Sequence, residues 1–146
     1  LLNLVVDGRY LLSADALFVE SVGRTELEFG DAGAEHGAKL LYETLHERYA
    51  SLDDDVVVLP GHVSVDAGGE FGVGRPGALV AATLGELRED LELFELDEAT
   101  FVDRVSARAN EKPPNYETVI DVNRGRRALD ESEATETELG PNNCAV

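Results

Sequence analysis

The chain has no methionine, no tryptophan, a single cysteine and, among its 146 residues, only two lysines, Lys39 and Lys112. One cysteine excludes an internal disulfide and suits a reducing compartment, so stability must come from apolar burial, and Cys144 reads as an inert tail thiol. No stretch approaches the roughly 20 consecutive apolar residues of a membrane span, and the first residues lack the basic region of a secretory leader. A cytoplasmic, soluble chain is the expectation. Basic residues are scarce as well: 12 Lys and Arg face 30 Asp and Glu, for a formal net charge of -18 and a sequence pI near 4.3. Such a surface repels the phosphates of nucleic acid and anionic lipid, so neither a nucleic-acid nor a membrane partner is expected. Carboxylates and guanidinium groups carry almost all of the charge, which fits the salt-adapted surface of a halophilic protein. An ordinary acidic protein with a disordered acidic tail remains the alternative on composition.

What the chain does have is enough length for one domain with a core, and too little for two ordinary ones. The organising stretch is Tyr10-Leu-Leu-Ser-Ala-Asp15-Ala-Leu-Phe-Val-Glu-Ser-Val-Gly-Arg24, in which an apolar run delivers a carboxylate to its end. Before it, Leu1 to Val6 and Tyr10 to Leu12 flank Asp7-Gly8, a dipeptide that tolerates the positive φ angles of a tight turn, so a β-hairpin is predicted. Asp15 then falls in the loop after the second strand, where a rigid scaffold presents ligands; a plain turn or cap acid is the other reading.

Ala34, Ala38, Leu41, Leu45 and Tyr49 recur at close to 3.6 residues and predict an amphipathic helix. His36 and His46 lie on it, ten residues apart and on different faces, and both are expected as surface histidines. Val56 to Leu59 is a short β-branched run, predicted as a buried parallel strand, and Pro60-Gly61 stops it. His62 therefore leaves the strand at its C-terminal end, where open α/β sheets place ligands, although a histidine after Pro-Gly is also commonly structural.

The segment from Ala67 to Gly77 contains a formal G-x-G-x-x-G at Gly72, Gly74 and Gly77. No strand leads into it, Pro76 occupies the turn and Glu70 would meet a phosphate with like charge, so a flexible loop is expected rather than a nucleotide site. Thr83-Leu-Gly-Glu86 has the spacing of a capping box ahead of Leu84, Leu87, Leu91 and Phe94. Asp97 is placed to cap a further helix carrying Phe101, Val102, Val105 and Ala109. Pro113 and Pro114 end the helical pattern, Tyr116 to Val122 is expected to return as an extended segment, and residues 130–146 are expected as an acidic mobile tail after a domain spanning 1–129.

Taken together, Ala14-Asp15-Ala16-Leu17-Phe18, the following Val22-Gly23-Arg24-Thr25, and Pro60-Gly61-His62 after an intervening helix and strand resemble the metallo-β-lactamase superfamily, and within it the persulfide dioxygenase and glyoxalase II branch. Members of that branch read roughly Gly-Asp-Thr-Leu-Phe at the first motif and carry a Gly-His pair at the last. The similarity runs from Leu1 to about Gly125. Lys112-Pro-Pro-Asn-Tyr and Gly140-Pro-Asn-Asn-Cys144 are also similar to branch members that travel with rhodanese domains, which makes such a domain, or a second copy of the chain, an expected partner.

The resemblance implies an α/β fold, the C-terminal half of an αββα sandwich. The chain opens inside an apolar pattern, just past the point where the family holds its paired histidines, and a fragment is therefore expected. The resemblance also implies that Asp15 is a metal ligand, that His62 belongs to the same centre, and that Arg24 lies near a thiol substrate, where a guanidinium grips a carboxylate in a forked geometry. A surface or capping role is the alternative for Arg24. A carboxylate with imidazoles suits Fe(II), Zn or Mn. In the dioxygenase branch the implied cofactor is one Fe(II), and the implied activity is oxidation of a low-molecular-weight thiol persulfide to sulfite, with His62 beside the ligands. In the hydrolase branch it is two ions such as Zn, with His62 on the second and a thioester as substrate. With three histidines, two of them on a helix, the chain is expected to lack a complete ligand set and to be inactive alone. A non-catalytic acidic association module is the third reading, because half a sandwich leaves apolar surface uncovered. Ala14 stands where the family has glycine, a change of little consequence if the backbone there has negative φ. Val63 stands where relatives have a polar or aromatic residue, which leaves substrate choice open.

Overall fold

A computed structural model of the chain describes residues 2–26, 31–63, 72–75, 77–107 and 116–138. These fall into two compact units, one within 2–107 and one within 116–138. The first unit holds a four-stranded sheet in the order β1-β2-β3-β4.

Strands β1 (Leu4–Val6) and β2 (Tyr10–Ala14) form the expected hairpin, antiparallel with Val6 opposite Tyr10. Asp7 and Gly8 take φ of 53° and 64°, and the Arg9 amide closes the turn onto the Val6 carbonyl at 3.0 Å. Two successive left-handed residues match the twist of the flanking strands, which is why Asp-Gly suffices here. Strand β3 (Val57–Pro60) runs parallel to β2, with Leu11 beside Val58 and Ala14 beside Pro60. A two-residue strand β4 (Ala82–Thr83) pairs antiparallel to β3 and has no periodicity from which sequence could have read it.

The crossover between β2 and β3 is helical. α1 (Ala34–Glu43) follows a short 3-10 turn and continues through a wider turn at Thr44–Arg48 and a last tight turn at Tyr49–Ser51. Ala34, Ala38, Leu41, Leu45 and Tyr49 are all buried, as their spacing requires. α2 (Leu84–Asp90) begins with the full capping box, Thr83 Oγ1 accepting from the Glu86 amide and Glu86 accepting from the Thr83 amide. α3 (Glu98–Ser106) starts at Asp97, whose carboxylate accepts from the Thr100 amide at 2.9 Å. Between them Glu92–Phe94 is a 3-10 turn, not a continuation of α2. Ala109 lies outside the described residues.

One sheet face, through Leu11 and Val58, packs with Leu84, Leu87, Phe101 and Val105 of the helices in a buried cluster. The opposite face is uncovered: Leu4, Val6, Tyr10 and Leu12 are 50, 42, 38 and 40 % exposed, and the register places them side by side. The strict alternation of β2, exposed then buried, follows from the period-2 pleat.

Two expectations fail. His46 is half-buried rather than exposed: its ring stacks on Tyr42 with centroids 3.9 Å apart, meets Phe101 edge-on, and sets its two nitrogens 3.2 Å from the carbonyls of Tyr42 and Phe94. Helical period alone misses the Phe94 and Phe101 contacts, because those rings arrive from 48 and 55 positions downstream. In the second unit, Tyr116 to Val122 is not extended but belongs to α4 (Tyr116–Asn123). Residues 131–138, within the segment expected as an acidic mobile tail, form α5 (Glu131–Glu138), where Asp130 and Glu133 make a reciprocal capping box. Local side-chain to backbone bonds outweigh the like-charge repulsion there. Residues 64–71, Pro76, Lys112, the Pro113-Pro114 pair and Cys144 lie outside the described residues, and with them most of the glycine-rich loop and both tail resemblances. Gly74 and Gly77 have φ of 75° and 78°, as a turning loop requires.

Candidate metal centre

Asp15 and His62 leave the C-terminal ends of two adjacent parallel strands, β2 and β3, so the sheet itself carries their backbones to one edge. Their side chains meet: His62 Nδ1–H donates to Asp15 Oδ1 at 2.5 Å. Both remain partly open to solvent, 48 and 39 % by side chain. The His62 ring also stands edge-on to Phe18, centroids 6.5 Å apart, and Phe18 is almost wholly buried.

The loop that holds Asp15 is tied down from inside. Ser13, an inward-facing polar residue in an otherwise apolar strand, is fully buried and its hydroxyl donates to the Leu17 carbonyl at 2.6 Å. The Ala16 amide returns to the Ser13 carbonyl, Phe18 and Ser21 close the tip, and the Gly61 amide donates to the Ala14 carbonyl at 2.9 Å, linking the two strand ends directly. Gly23 sits so close beneath Asp15 that a Cβ on it would run into the Asp15 carbonyl. Ala14 has φ of +46°. The condition for treating this alanine as harmless therefore does not hold; it occupies a left-handed conformation that costs an L-residue about 1 kcal/mol and that glycine adopts freely.

Arg24 is drawn away from solvent. Its side chain is fully buried, its Nε donates to Glu26 Oε1 at 2.6 Å, and Glu26 is itself 1 % exposed. The guanidinium thus has an internal carboxylate as partner. Glu26 was not singled out from sequence; its one signal is that it lies two residues after Arg24, within reach in an extended stretch. α1 presses on this segment, since a Cβ at Gly37 would meet the Thr25 carbonyl.

As a donor set, one carboxylate and one imidazole suit Fe(II), Zn or Mn in kind. In number they fall short: among the described residues no group of three or more His, Cys, Asp or Glu side chains converges. His36 is exposed on α1 and His46 is engaged in the core. Two donors do not make a tight site.

No protein-family model matches the chain. A stretch of 56 residues, 38 % of the chain, is 43 % identical to a protein of Mycobacterium leprae (strain TN) described as uncharacterized, and covers 23 % of it. Among solved structures, a metallo-β-lactamase from Staphylococcus aureus subsp. aureus COL superposes with a TM-score of 0.66 at 26 % identity over 84 % of this chain. Over the matched residues the chain folds as that metallo-β-lactamase does. The likeness supports placement in that superfamily, and the mixed sheet with the five α-helices among the described residues matches it. The chain spans 33 % of the staphylococcal chain, and still less of the mycobacterial protein. No helix among the described residues is long and apolar enough to cross a membrane.

Proposed function

We propose that this chain supplies the C-terminal half of a metallo-β-lactamase-fold enzyme that depends on a metal, and that the enzyme is a cytoplasmic persulfide dioxygenase acting on a low-molecular-weight thiol persulfide. The observation that carries the reading is the meeting of Asp15 and His62 at the ends of parallel strands in a chain of this fold. Asp15 is the one carboxylate ligand from this chain, and the missing imidazoles come from a segment outside it. Held by Asp15 and those imidazoles, Fe(II) would supply the redox chemistry for a reaction of dioxygen with the outer sulfur. This chain's own part is to present Asp15 rigidly and to orient its carboxylate through His62.

The hydrogen bond itself favours one ion over two. With Nδ1–H on Asp15 Oδ1, His62 would steady a carboxylate ligand rather than hold an ion itself. His62 then acts as the outer partner that fixes a ligand. In a two-Zn thioester hydrolase it would itself be a ligand. Arg24 takes the role of holding the Gly23–Glu26 segment under Asp15, and a rhodanese domain is the companion the tail resemblance suggests.

The test is metal analysis and turnover of a protein in which this chain is joined to an upstream His-x-His-x-Asp-His segment. One iron per chain with oxygen consumed on a thiol persulfide supports the reading. Two zinc-like ions with thioester turnover replace it by the hydrolase. A second reading, association without catalysis, draws on the uncovered apolar face of Leu4, Val6, Tyr10 and Leu12. Concentration-dependent self-association without metal uptake in the same protein would decide for it.

A further inference from the structure

Glu26 is 1 % exposed, and Arg24, two residues before it, has a fully buried side chain. Arg24 Nε donates to Glu26 Oε1 at 2.6 Å, and Nη2 stands equally far from the same oxygen. Taking opposite charges out of water is expensive, and apolar side chains of similar volume in such a place are often as stable or more so. Stability gives no reason for an ion pair here; location does. A bridge between Leu17 and Val22 turns the chain back under Asp15. Gly23 then lies against Asp15, where a Cβ would come within 1.7 Å of the carbonyl oxygen. Two residues on, the Thr25 carbonyl lies almost as tightly against Gly37 of α1, 2.4 Å from such a Cβ. Residues 23–26 are thus a thin layer between the Asp15 loop and α1, and both contacts are made on a glycine, which has no side chain to lock them.

We propose that Glu26 is a positioning residue for the centre at Asp15. Through Arg24 it fixes the register of residues 23–26, and through Gly23 it fixes the orientation in which the Asp15 carboxylate meets His62. Apolar packing is non-directional, whereas a guanidinium held on a carboxylate oxygen resists both sliding and rotation. The rest of the Asp15 loop is already secured by the Ser13 hydroxyl on the Leu17 carbonyl and the Gly61 amide on the Ala14 carbonyl. The ion pair secures the side that faces α1. Its contribution is geometry, not stability. The consequence for metal rests on the reading of Asp15 as a ligand; the consequence for the hydrogen bond between Asp15 and His62 does not.

The test compares the chain, without metal, with the double variant Arg24→Met/Glu26→Leu, which removes both charges together and leaves neither one buried alone. Two quantities are read: the thermal midpoint, and the His62 tautomer from its ring 15N shifts in alkaline solution. In the unaltered chain the bond to Asp15 Oδ1 holds the ring in its Nδ1–H form, and a ring released from that bond takes up a mixture of the two neutral forms. The double variant should melt no lower than the unaltered chain and should show the mixture. In the protein joined to an upstream His-x-His-x-Asp-His segment, the same variant should bind metal about 10- to 100-fold more weakly. A lowered midpoint, a variant that does not fold, or a folded variant that keeps the Nδ1–H form each overturn the proposal. So do an unaltered chain that lacks the Nδ1–H form and a joined variant that binds metal as tightly as the unsubstituted protein. If the unsubstituted joined protein takes up no metal, the metal reading falls, and the tautomer still decides the role of Glu26.

Discussion

His62 and Asp15, 47 positions apart in the chain, share a 2.5 Å hydrogen bond from Nδ1–H to Oδ1 at the ends of two parallel strands. Parallel pairing brings them together because both strands run the same way and stop at the same edge. If His62 orients the carboxylate, His62→Ala in the joined protein should retain its metal but lose activity by about 10- to 100-fold, as removal of an outer partner does. Asp15→Ala should lose the metal. Metal content by elemental analysis alongside turnover separates the two effects, and loss of one of two ions in His62→Ala would identify a dinuclear centre.

Gly23 permits the close approach of its segment to the Asp15 carbonyl. Gly23→Ala should therefore destabilise the chain by about 1 to 3 kcal/mol, through overpacking against backbone that has no room to yield. Gly8→Ala is the matched comparison: nothing lies near its Cβ, and only its φ of +64° is strained, so about 1 kcal/mol is expected. Denaturant melts of both variants check the order.

Ala14, at φ of +46° next to Asp15, holds a conformation suited to glycine. Ala14→Gly should raise stability by about 0.5 to 1 kcal/mol, the relieved strain exceeding the added freedom of the unfolded chain. Urea unfolding with an unchanged slope would show it.

Glu86 and Asp97 are both held below the ordinary carboxylate range, Glu86 chiefly by the Thr83 backbone amide and Asp97 chiefly by that of Thr100. A carboxyl with a depressed folded pKa adds stability above its unfolded value, and that contribution fades as pH falls through the folded one. Stability should thus decline from the ordinary carboxylate range downward. Glu86→Gln and Asp97→Asn should each flatten the decline, as thermal melts between pH 5 and about 2 can record.

Net charge of -18 makes self-repulsion a whole-chain term. A salt-adapted surface should gain thermal stability steadily from low to molar salt, beyond the change expected once the Debye length has shrunk to about 3 Å near 1 M. A plateau at a few hundred millimolar would mark an ordinary acidic protein.

Sequence by itself determined whatever depends on neighbours in the chain. The Asp7-Gly8 turn, the buried stripe from Ala34 to Tyr49, the β-branched run ending at Pro60, and the caps at Thr83 and Asp97 all formed as their local chemistry requires. So did the placing of Asp15 and His62 at strand ends. Tertiary structure alone decided the rest. It brought those two side chains into one hydrogen bond, turned Arg24 inward onto Glu26, and packed His46 against Phe94 and Phe101. The physical reason is range. Turns, caps and helical stripes are fixed by contacts within about four residues, whereas these outcomes depend on which distant groups arrive at the same point once the sheet edge and α1 have packed.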